Sequence, residues 1–284
     1  MPGDFLARLA AGSPLLLDSA MGSELDRRGL DVRLPLWSAR ALVASPGTVL
    51  AIHRENVAAG ADILTANTFR TQRRIVGERA DELTRAAVAL ARQAASESPR
   101  GVFVAGSIAP LADCYRPDLV PDPPELEREH REHAQNLAAA GADLILVETM
   151  NSIRELLAAG SAAAATGLPF VVSAVTNGRG KLLSGEPLET AIRAAREIEP
   201  AAAGVNCVDP AGLSREVARL ASNGTGIPIV AYGNVLSSGD GPDAYAEMAA
   251  GWVASGARIV GGCCGTTPGH TGALRKRLDR IAAQ

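Results

Sequence analysis

The sequence predicts a (β/α)8 (TIM) barrel, on three observations. Apolar runs of strand length recur eight times, helical stretches separate them, and nearly every run ends in polar residues or glycine. The runs are 15–17, 61–66, 102–105, 144–147, 170–175, 202–205, 227–231 and 257–260. Continuous apolar runs suit strands covered on both faces, as in a parallel sheet. Strand and helix alternating about eight times over a chain of 284 residues fits a closed barrel. An open doubly wound sheet is the alternative, but no G-x-G-x-x-G follows the first run.

The first run, 15–17, ends in Asp18-Ser19, and the second, 61–66, ends in Asn67-Thr68. Residues 78–96, rich in Ala, Leu and Arg, read as the helix before the third run. That run closes in Gly106-Ser107 and leads to residues 113–124, the most loop-like stretch, with four prolines. Pro123-Pro124 then opens a helix over 125–140, since proline suits a first helical turn. The fourth run ends in Glu148-Thr149, and helices are expected over 151–165, 187–198, 211–221 and 244–254. Ala59-Gly60-Ala61-Asp62, Ala140-Gly141-Ala142-Asp143 and Ser255-Gly256-Ala257 repeat one signal, a glycine that ends a helix in a left-handed cap before the next strand. No long flexible linker interrupts the pattern, so residues 1–284 are expected to form a single barrel domain.

Composition narrows the class. The chain is 47% hydrophobic and 21% charged, enough for a core and a solvated surface, and its net charge of −3 argues against a nucleic-acid or anionic-membrane partner. No apolar run is long enough to span a bilayer, and Met1-Pro2-Gly3-Asp4-Phe5-Leu6 lacks the features of a signal peptide, so a cytoplasmic location is expected. In a reducing compartment the four cysteines, Cys114, Cys207, Cys263 and Cys264, are expected to bind metal, act in catalysis or lie buried rather than form disulfides. The partners expected are small molecules, and nothing in the sequence opposes a homo-oligomer.

Barrel enzymes build their sites at the C-terminal ends of the strands. Those ends hold Asp18, Asn67, Glu148, Asn206, Cys207, Cys263 and Cys264. The decisive stretch is Gly261-Gly262-Cys263-Cys264-Gly265-Thr266-Thr267-Pro268. Adjacent residues of a regular strand face opposite ways, so two neighbouring thiols reach one centre only if the backbone leaves the extended form. Glycines with access to positive φ are the expected means. Cys207 ends the sixth run and the pair ends the eighth, so a closed barrel brings the three sulfurs within reach of each other. Three thiolates suit Zn²⁺, and three protein ligands leave one position open, which marks a catalytic rather than a structural site. Cys114, in the proline-rich loop, is read as a bystander. An open site of this kind suggests a substrate thiol that binds as thiolate and takes a methyl group from an electrophilic donor. The alternatives are two inert buried cysteines, or a non-catalytic zinc or redox sensor using the vicinal pair.

These motifs resemble those of the homocysteine S-methyltransferase family, whose members use betaine, S-methylmethionine or a cobalamin as methyl source. Asp18-Ser19-Ala20-Met21-Gly22-Ser23-Glu24-Leu25 is similar to the family's opening D-G-A-M-G-T-E-L, and Thr65-Ala66-Asn67-Thr68-Phe69 to its second-strand motif. Glu148-Thr149-Met150, Gly204-Val205-Asn206-Cys207 and the cysteine-pair stretch complete the likeness, which covers nearly the whole chain. The resemblance implies that Cys207, Cys263 and Cys264 bind zinc. It also implies that Glu148 and the Asp18-Ser19 turn hold the amino-acid part of homocysteine, the carboxylate on the ammonium and backbone N–H groups of the turn on the carboxylate. Asn67 and Thr68, in the second-strand motif, are expected beside the same substrate. The expected reaction takes the methyl from a small sulfonium or ammonium donor and gives methionine, with S-methylmethionine preferred as donor, S-adenosylmethionine next, and a related thiol or selenol as the alternative acceptor. The chain departs from the family pattern at Ser19, at Ala109 in Gly106-Ser107-Ile108-Ala109-Pro110 and at Asn56, all read as bearing on the donor side.

Trp37, Phe69 and Tyr115 are candidates for the donor pocket, where an aromatic face attracts a cation; packing is the competing role for each. His130 and His133 are spaced i and i+3 on a helix outside the barrel and are expected on a solvated or half-buried face. His53 is expected on a helix, His270 at the start of the last helix as a cap, and Arg73-Arg74 and Arg275-Lys276-Arg277 on solvated helix faces.

Overall fold

Parallel pairing runs unbroken through eight strands in a computed structural model that describes residues 2–283. The strands are β1 (Leu15–Leu16), β2 (Ile63–Ala66), β3 (Phe103–Ile108), β4 (Leu144–Met150), β5 (Phe170–Ala174), β6 (Ala202–Asn206), β7 (Ile229–Gly233) and β8 (Ala257–Gly262). All eight coincide with the apolar runs, and the spatial order is β1-β8-β7-β6-β5-β4-β3-β2. The seam between β1 and β2 closes through a bridge of Leu17 to Ile63 and through Asp18 N donating to the Ile63 carbonyl at 3.0 Å. The fold is therefore the (β/α)8 barrel expected from the sequence.

Side chains of the strands alternate between two cores, as the pleat requires. Leu15, Leu17, Ile63, Phe103, Ala105, Leu144, Leu146, Val171, Val230 and Ile259 fill the barrel interior. Leu16, Leu64, Val104, Ile145, Val147, Val172 and Val260 face the surrounding helices. Phe5, from the helix Pro2–Ala10, plugs the bottom of the interior edge-on against Phe103, with ring centroids 5.6 Å apart. Two residues further along the same inward rows, the apolar filling gives way to Thr65, Ser107, Glu148, Ser173 and Tyr232, and four residues past Ile259 to Cys263. The alternation that builds the core thus also aims the polar groups into the C-terminal mouth.

The expected helices form, at Ala80–Ser96, Pro123–Ala139, Ile153–Ala164, Leu188–Arg196, Pro210–Ser222 and Pro242–Ala254. The connection between β1 and β2 holds more than was read: Met21–Arg27, Arg40–Ala44 and Pro46–Ala59, the last carrying His53. Gly60 ends that helix in the left-handed conformation, as expected. His270 caps the final helix, Pro268–Ala282, in a capping box with Thr267.

Two expectations about helix faces are corrected. His130 and His133 are buried, not solvated or half-buried, because they share a stripe with Leu126, Ala134 and Leu137 that packs on the barrel. His130 meets Glu155 Oε1 at 3.3 Å, and His133 meets the Ser107 carbonyl at 3.3 Å. Burial pushes His133 down to about 4, so it stays neutral. Arg275 likewise leaves the solvated face and reaches Asp62 and the Gly60 carbonyl beneath β2. Arg73 and Arg74 do lie at the surface, paired with Glu132, Glu129 and Glu125 of the neighbouring helix.

Gly204 marks where two strands approach too closely for a side chain, since a Cβ there would lie 1.9 Å from the Val230 carbonyl oxygen. Backbone cannot yield as a flexible side chain can. Gly204→Ala is expected to destabilise the protein by about 3 kcal/mol or more, read as a lower urea midpoint in equilibrium unfolding. Gly101→Ala, where nothing lies within 4 Å, is the matched control and is expected to stay close to the parent.

Candidate metal centre and substrate cavity

The sulfur atoms of Cys207, Cys263 and Cys264 all lie within 4.8 Å of one another, and Cys207 and Cys264 are 3.6 Å apart. A tetrahedral zinc–thiolate centre with bonds of about 2.3 Å separates its sulfurs by about 3.8 Å, so the trio has the spacing such an ion needs. Cys207 takes a left-handed backbone, φ 56°, which is costly for a residue with a Cβ and is held by its N–H donating to the Tyr232 carbonyl at 3.0 Å. The Cys263-Cys264 pair lies just past the end of β8, where the chain turns, with Thr266 N donating to the Cys263 carbonyl at 3.0 Å.

The glycines around the pair serve a purpose different from the one expected. Only Gly265 has a positive φ, 82°. Gly261 and Gly262 are needed for space: a Cβ would lie 2.4 Å from Leu17 Cβ at the first and 2.2 Å from Thr266 Oγ1 at the second. Close packing, of Gly261 on Leu17 and of Gly262 on Thr266, rather than an unusual dihedral, excludes larger residues there.

Electrostatics of the trio also favour a cation. Hydrogen bonds from the other two thiols hold Cys207 well below the usual thiol range, while Cys263 and Cys264 are pushed up beside it. One sulfur ionises easily and its neighbours then resist, unless a positive ion offsets the charge. Tyr115 Oη lies 3.2 Å from Cys207 Sγ, and Asn234 Nδ2 donates to it at 3.6 Å. Cys114 stands outside the trio; it is buried, and desolvation pushes its thiol up to about 12.

The trio opens onto a cavity of about 340 Å³ lined by Asp18, Ser19, Asn67, Phe69, Arg70, Ser107, Glu148, Trp37, Tyr115 and Tyr232 among others. Glu148 is buried and accepts from Ser107 Oγ at 2.5 Å and from Tyr232 Oη at 3.2 Å. Burial outweighs these bonds and pushes its carboxyl up to about 7. Asp18 accepts from Thr65 N at 2.9 Å, and burial pushes it up to about 8. Two carboxyls so far from water await a cationic group, and a substrate ammonium would supply it. Behind them Asn206 ties the mouth together: its Oδ1 accepts from Thr149 N at 2.9 Å and from Ser173 Oγ at 2.8 Å, and Ser173 also bonds Tyr232 Oη at 2.8 Å.

Other expected residues are placed differently. The N–H groups of Asp18, Ser19 and Ala20 are already committed, to the Ile63 carbonyl, Asn56 Oδ1 and Thr266 Oγ1, which leaves the first N–H groups of the helix Met21–Arg27, on the cavity wall, as the open backbone donors of this segment. Asn56 is buried behind the turn, where its Oδ1 also accepts from Ser19 Oγ and Thr271 Oγ1, each at 2.9 Å; it does not bear on the donor side. Thr68 is spent between β2 and β3, donating to the Ser107 carbonyl at 3.0 Å and accepting from Ser107 N at 2.8 Å. Asn67 reaches the wall, with Nδ2 donating to the Ser38 carbonyl at 2.9 Å. Trp37 and Phe69 meet edge to face, centroids 5.1 Å apart, and Tyr115 is half exposed at the mouth. Sequence reasoning missed Ser107, Tyr232, Asn234 and Arg70 as wall or ligand-side residues. Ser107 and Tyr232 were detectable, by carrying the inward alternation two places past Ala105 and Val230.

Comparison with known proteins agrees with this geometry. The family model described as homocysteine S-methyltransferase matches residues 15–278. The chain belongs to the homocysteine S-methyltransferase family. It is 32% identical to the homocysteine S-methyltransferase of Escherichia coli K12, with 93% of this chain and 94% of that protein covered. It is 30% identical to a selenocysteine Se-methyltransferase of Brassica oleracea var. italica, covering 94% and 89% respectively. The metallated form of the Escherichia coli homocysteine methyltransferase MmuM superposes with a TM-score of 0.85 at 30% identity, covering 95% of this chain and 98% of that one. The apo form gives 0.76 at 28% identity, with 93% and 96% covered. The family's members are methyltransferases, which sets aside the non-catalytic sensor. No helix among the described residues is long and apolar enough to cross a membrane.

The raised carboxyl at Asp18 has a signed consequence. A folded value of about 8 against 3.8 when unfolded means that folding binds a proton. Stability from this group is complete below about pH 4 and is lost as pH rises to about 8. Asp18→Asn removes the titration, so the variant is expected to gain on the parent across that window, by up to a few kcal/mol. Urea unfolding of both proteins at pH 5 and pH 8 measures it; an equal difference at the two pH values would contradict the assignment.

Proposed function

We propose that this chain transfers a methyl group from a small sulfonium donor, S-methylmethionine before S-adenosylmethionine, to the thiol of homocysteine, giving methionine. The observation that carries the reading is the sulfur trio at one end of a cavity whose wall holds two buried carboxyls. Cys207, Cys263 and Cys264 would hold a zinc ion, which, when bound, stabilises a substrate thiol as thiolate at neutral pH. Glu148 and Asp18 would receive the substrate ammonium; Ser107 and Tyr232 fix the Glu148 carboxylate so that the pairing costs little reorganisation. Trp37 and Tyr115 face the cavity as aromatic surfaces for the donor cation, whereas the Phe69 ring already carries the Arg70 guanidinium at 5.4 Å. The cavity is near the small end for ligand sites, which favours a compact sulfonium over one bearing a nucleoside. In the reaction the acceptor sulfur gains the methyl, the donor sulfur keeps the bonding pair and becomes a neutral thioether, and the thiol proton passes to solvent. Wall residues contribute by holding the two sulfurs in line.

The likeness to a selenocysteine methyltransferase keeps a selenol acceptor as the second reading. Competition between homocysteine and selenocysteine for one fixed donor separates the two. The main test is methionine formation from homocysteine across S-methylmethionine, S-adenosylmethionine and betaine, with bound metal measured in parallel. Cys264→Ala is expected to lose both bound zinc and turnover, the latter by at least about 100-fold. A fully active, metal-free C264A protein would overturn the mechanism. Glu148→Gln is expected to raise KM for homocysteine by about 10-fold or more with bound zinc unchanged; an unaltered KM would remove Glu148 from the ammonium site.

A further inference from the structure

Among the described residues, Arg70 is the one cationic side chain on the cavity wall. It follows β2, is only 6% exposed, and lies over the Phe69 ring. Burying a guanidinium normally requires a carboxylate partner. Arg70 has none: its Nη1 donates to the Ala112 carbonyl at 3.1 Å, its Nε finds no acceptor, and no ion pair among the described residues includes it. The acids whose charge acts on it, Asp113 and Glu155, form no ion pair with it, although Glu155 Oε2 has no hydrogen-bond partner of its own. Glu155 Oε1 takes Leu111 N at 2.8 Å and His130 at 3.3 Å, and Asp113 takes Tyr115 N at 2.9 Å. A buried, under-bonded cation at the wall of a substrate cavity is built for an anion that arrives with the substrate.

A second observation points the same way. An amino acid brings a carboxylate as well as an ammonium, and the acidic wall serves only the ammonium. The N–H groups of Asp18, Ser19 and Ala20 are already spent, so on that side only the uncharged first-turn N–H groups of the helix Met21–Arg27 remain, and Arg70 is the charged donor. We propose that Arg70 is the receptor for the α-carboxylate of an amino-acid substrate in this cavity, and so a determinant of its preference for zwitterionic substrates. A guanidinium offers two parallel N–H donors to a carboxylate, which an ammonium cannot match. Both homocysteine and an amino-acid sulfonium carry that group, and Arg70 stands on the wall they share.

This rests on the methyl-transfer reading above, and the test separates the two. The parent protein, Arg70→Met and Arg70→Lys are assayed with two matched pairs: homocysteine against 3-mercaptopropylamine, and S-methylmethionine against (3-aminopropyl)dimethylsulfonium. Each pair differs only by the carboxylate. The parent is expected to prefer the carboxylated member of at least one pair, and R70M to lower that preference in kcat/KM by about 10- to 100-fold, with R70K intermediate. The pair whose preference collapses identifies which substrate Arg70 holds. A general loss of structure would lower both members alike and leave the ratio unchanged; that result, or a parent indifferent to the carboxylate, overturns the proposal. Should the parent transfer no methyl group, the proposed function fails, and calorimetric binding of the same four compounds to parent and R70K still decides the role of Arg70 by the same ratios.

Discussion

Three sulfur atoms cannot share a space of a few ångströms as anions unless something positive stands among them, and much of the barrel mouth is arranged around that constraint. Cys207 adopts a backbone conformation that a side chain disfavours, and the Tyr232 carbonyl holds it there. Opposite, β8 stops at Gly262 so that two consecutive residues can turn toward the same point. The cost of the strained residue is roughly 1–3 kcal/mol, modest beside the binding energy of a structural-type zinc–thiolate set. A metal ion held by the trio would both relieve the repulsion and repay the geometry.

The remainder of the cavity carries buried groups of both signs, the arrangement that a zwitterionic substrate would need under the proposed function. Glu148 and Asp18 are buried deeply enough that each resists ionisation until a cation approaches. Arg70 is buried without an acid of its own. Both kinds of group are buried, so each interacts more strongly with an incoming charge than it would at the surface. Hydrogen bonds from Ser107 and Tyr232 to Glu148, and from Asn206 through Ser173 to Tyr232, keep this arrangement fixed while the cavity is empty of charge. Such preorganisation would favour one arrangement of two substrate sulfurs under the proposed function.

Position in the strand period explains how much of this was legible. The eight strands stood out because parallel strands buried on both faces need unbroken apolar runs, and the candidate ligands stood out because they terminate those runs. Ser107 and Tyr232 lie inside or at the end of strands whose inward phase is visible only once a partner row is known. His130 and His133 were misjudged because a polar residue on an amphipathic helix can belong to either edge of the apolar stripe. Asn56 and Thr68 lie near the site in sequence terms, yet neighbouring elements claim their hydrogen bonds.

By itself the sequence determined the barrel, the strand ends and the cysteine trio, since periodicity, glycine signals and soft-ligand chemistry are all local or compositional. Tertiary structure alone decided which N–H groups were already spent, which carboxyls were buried and which buried arginine was left without a carboxylate partner. Those are properties of distance across the barrel, between residues such as Ser19 and Asn56 or Tyr232 and Glu148, and no spacing along the chain encodes them.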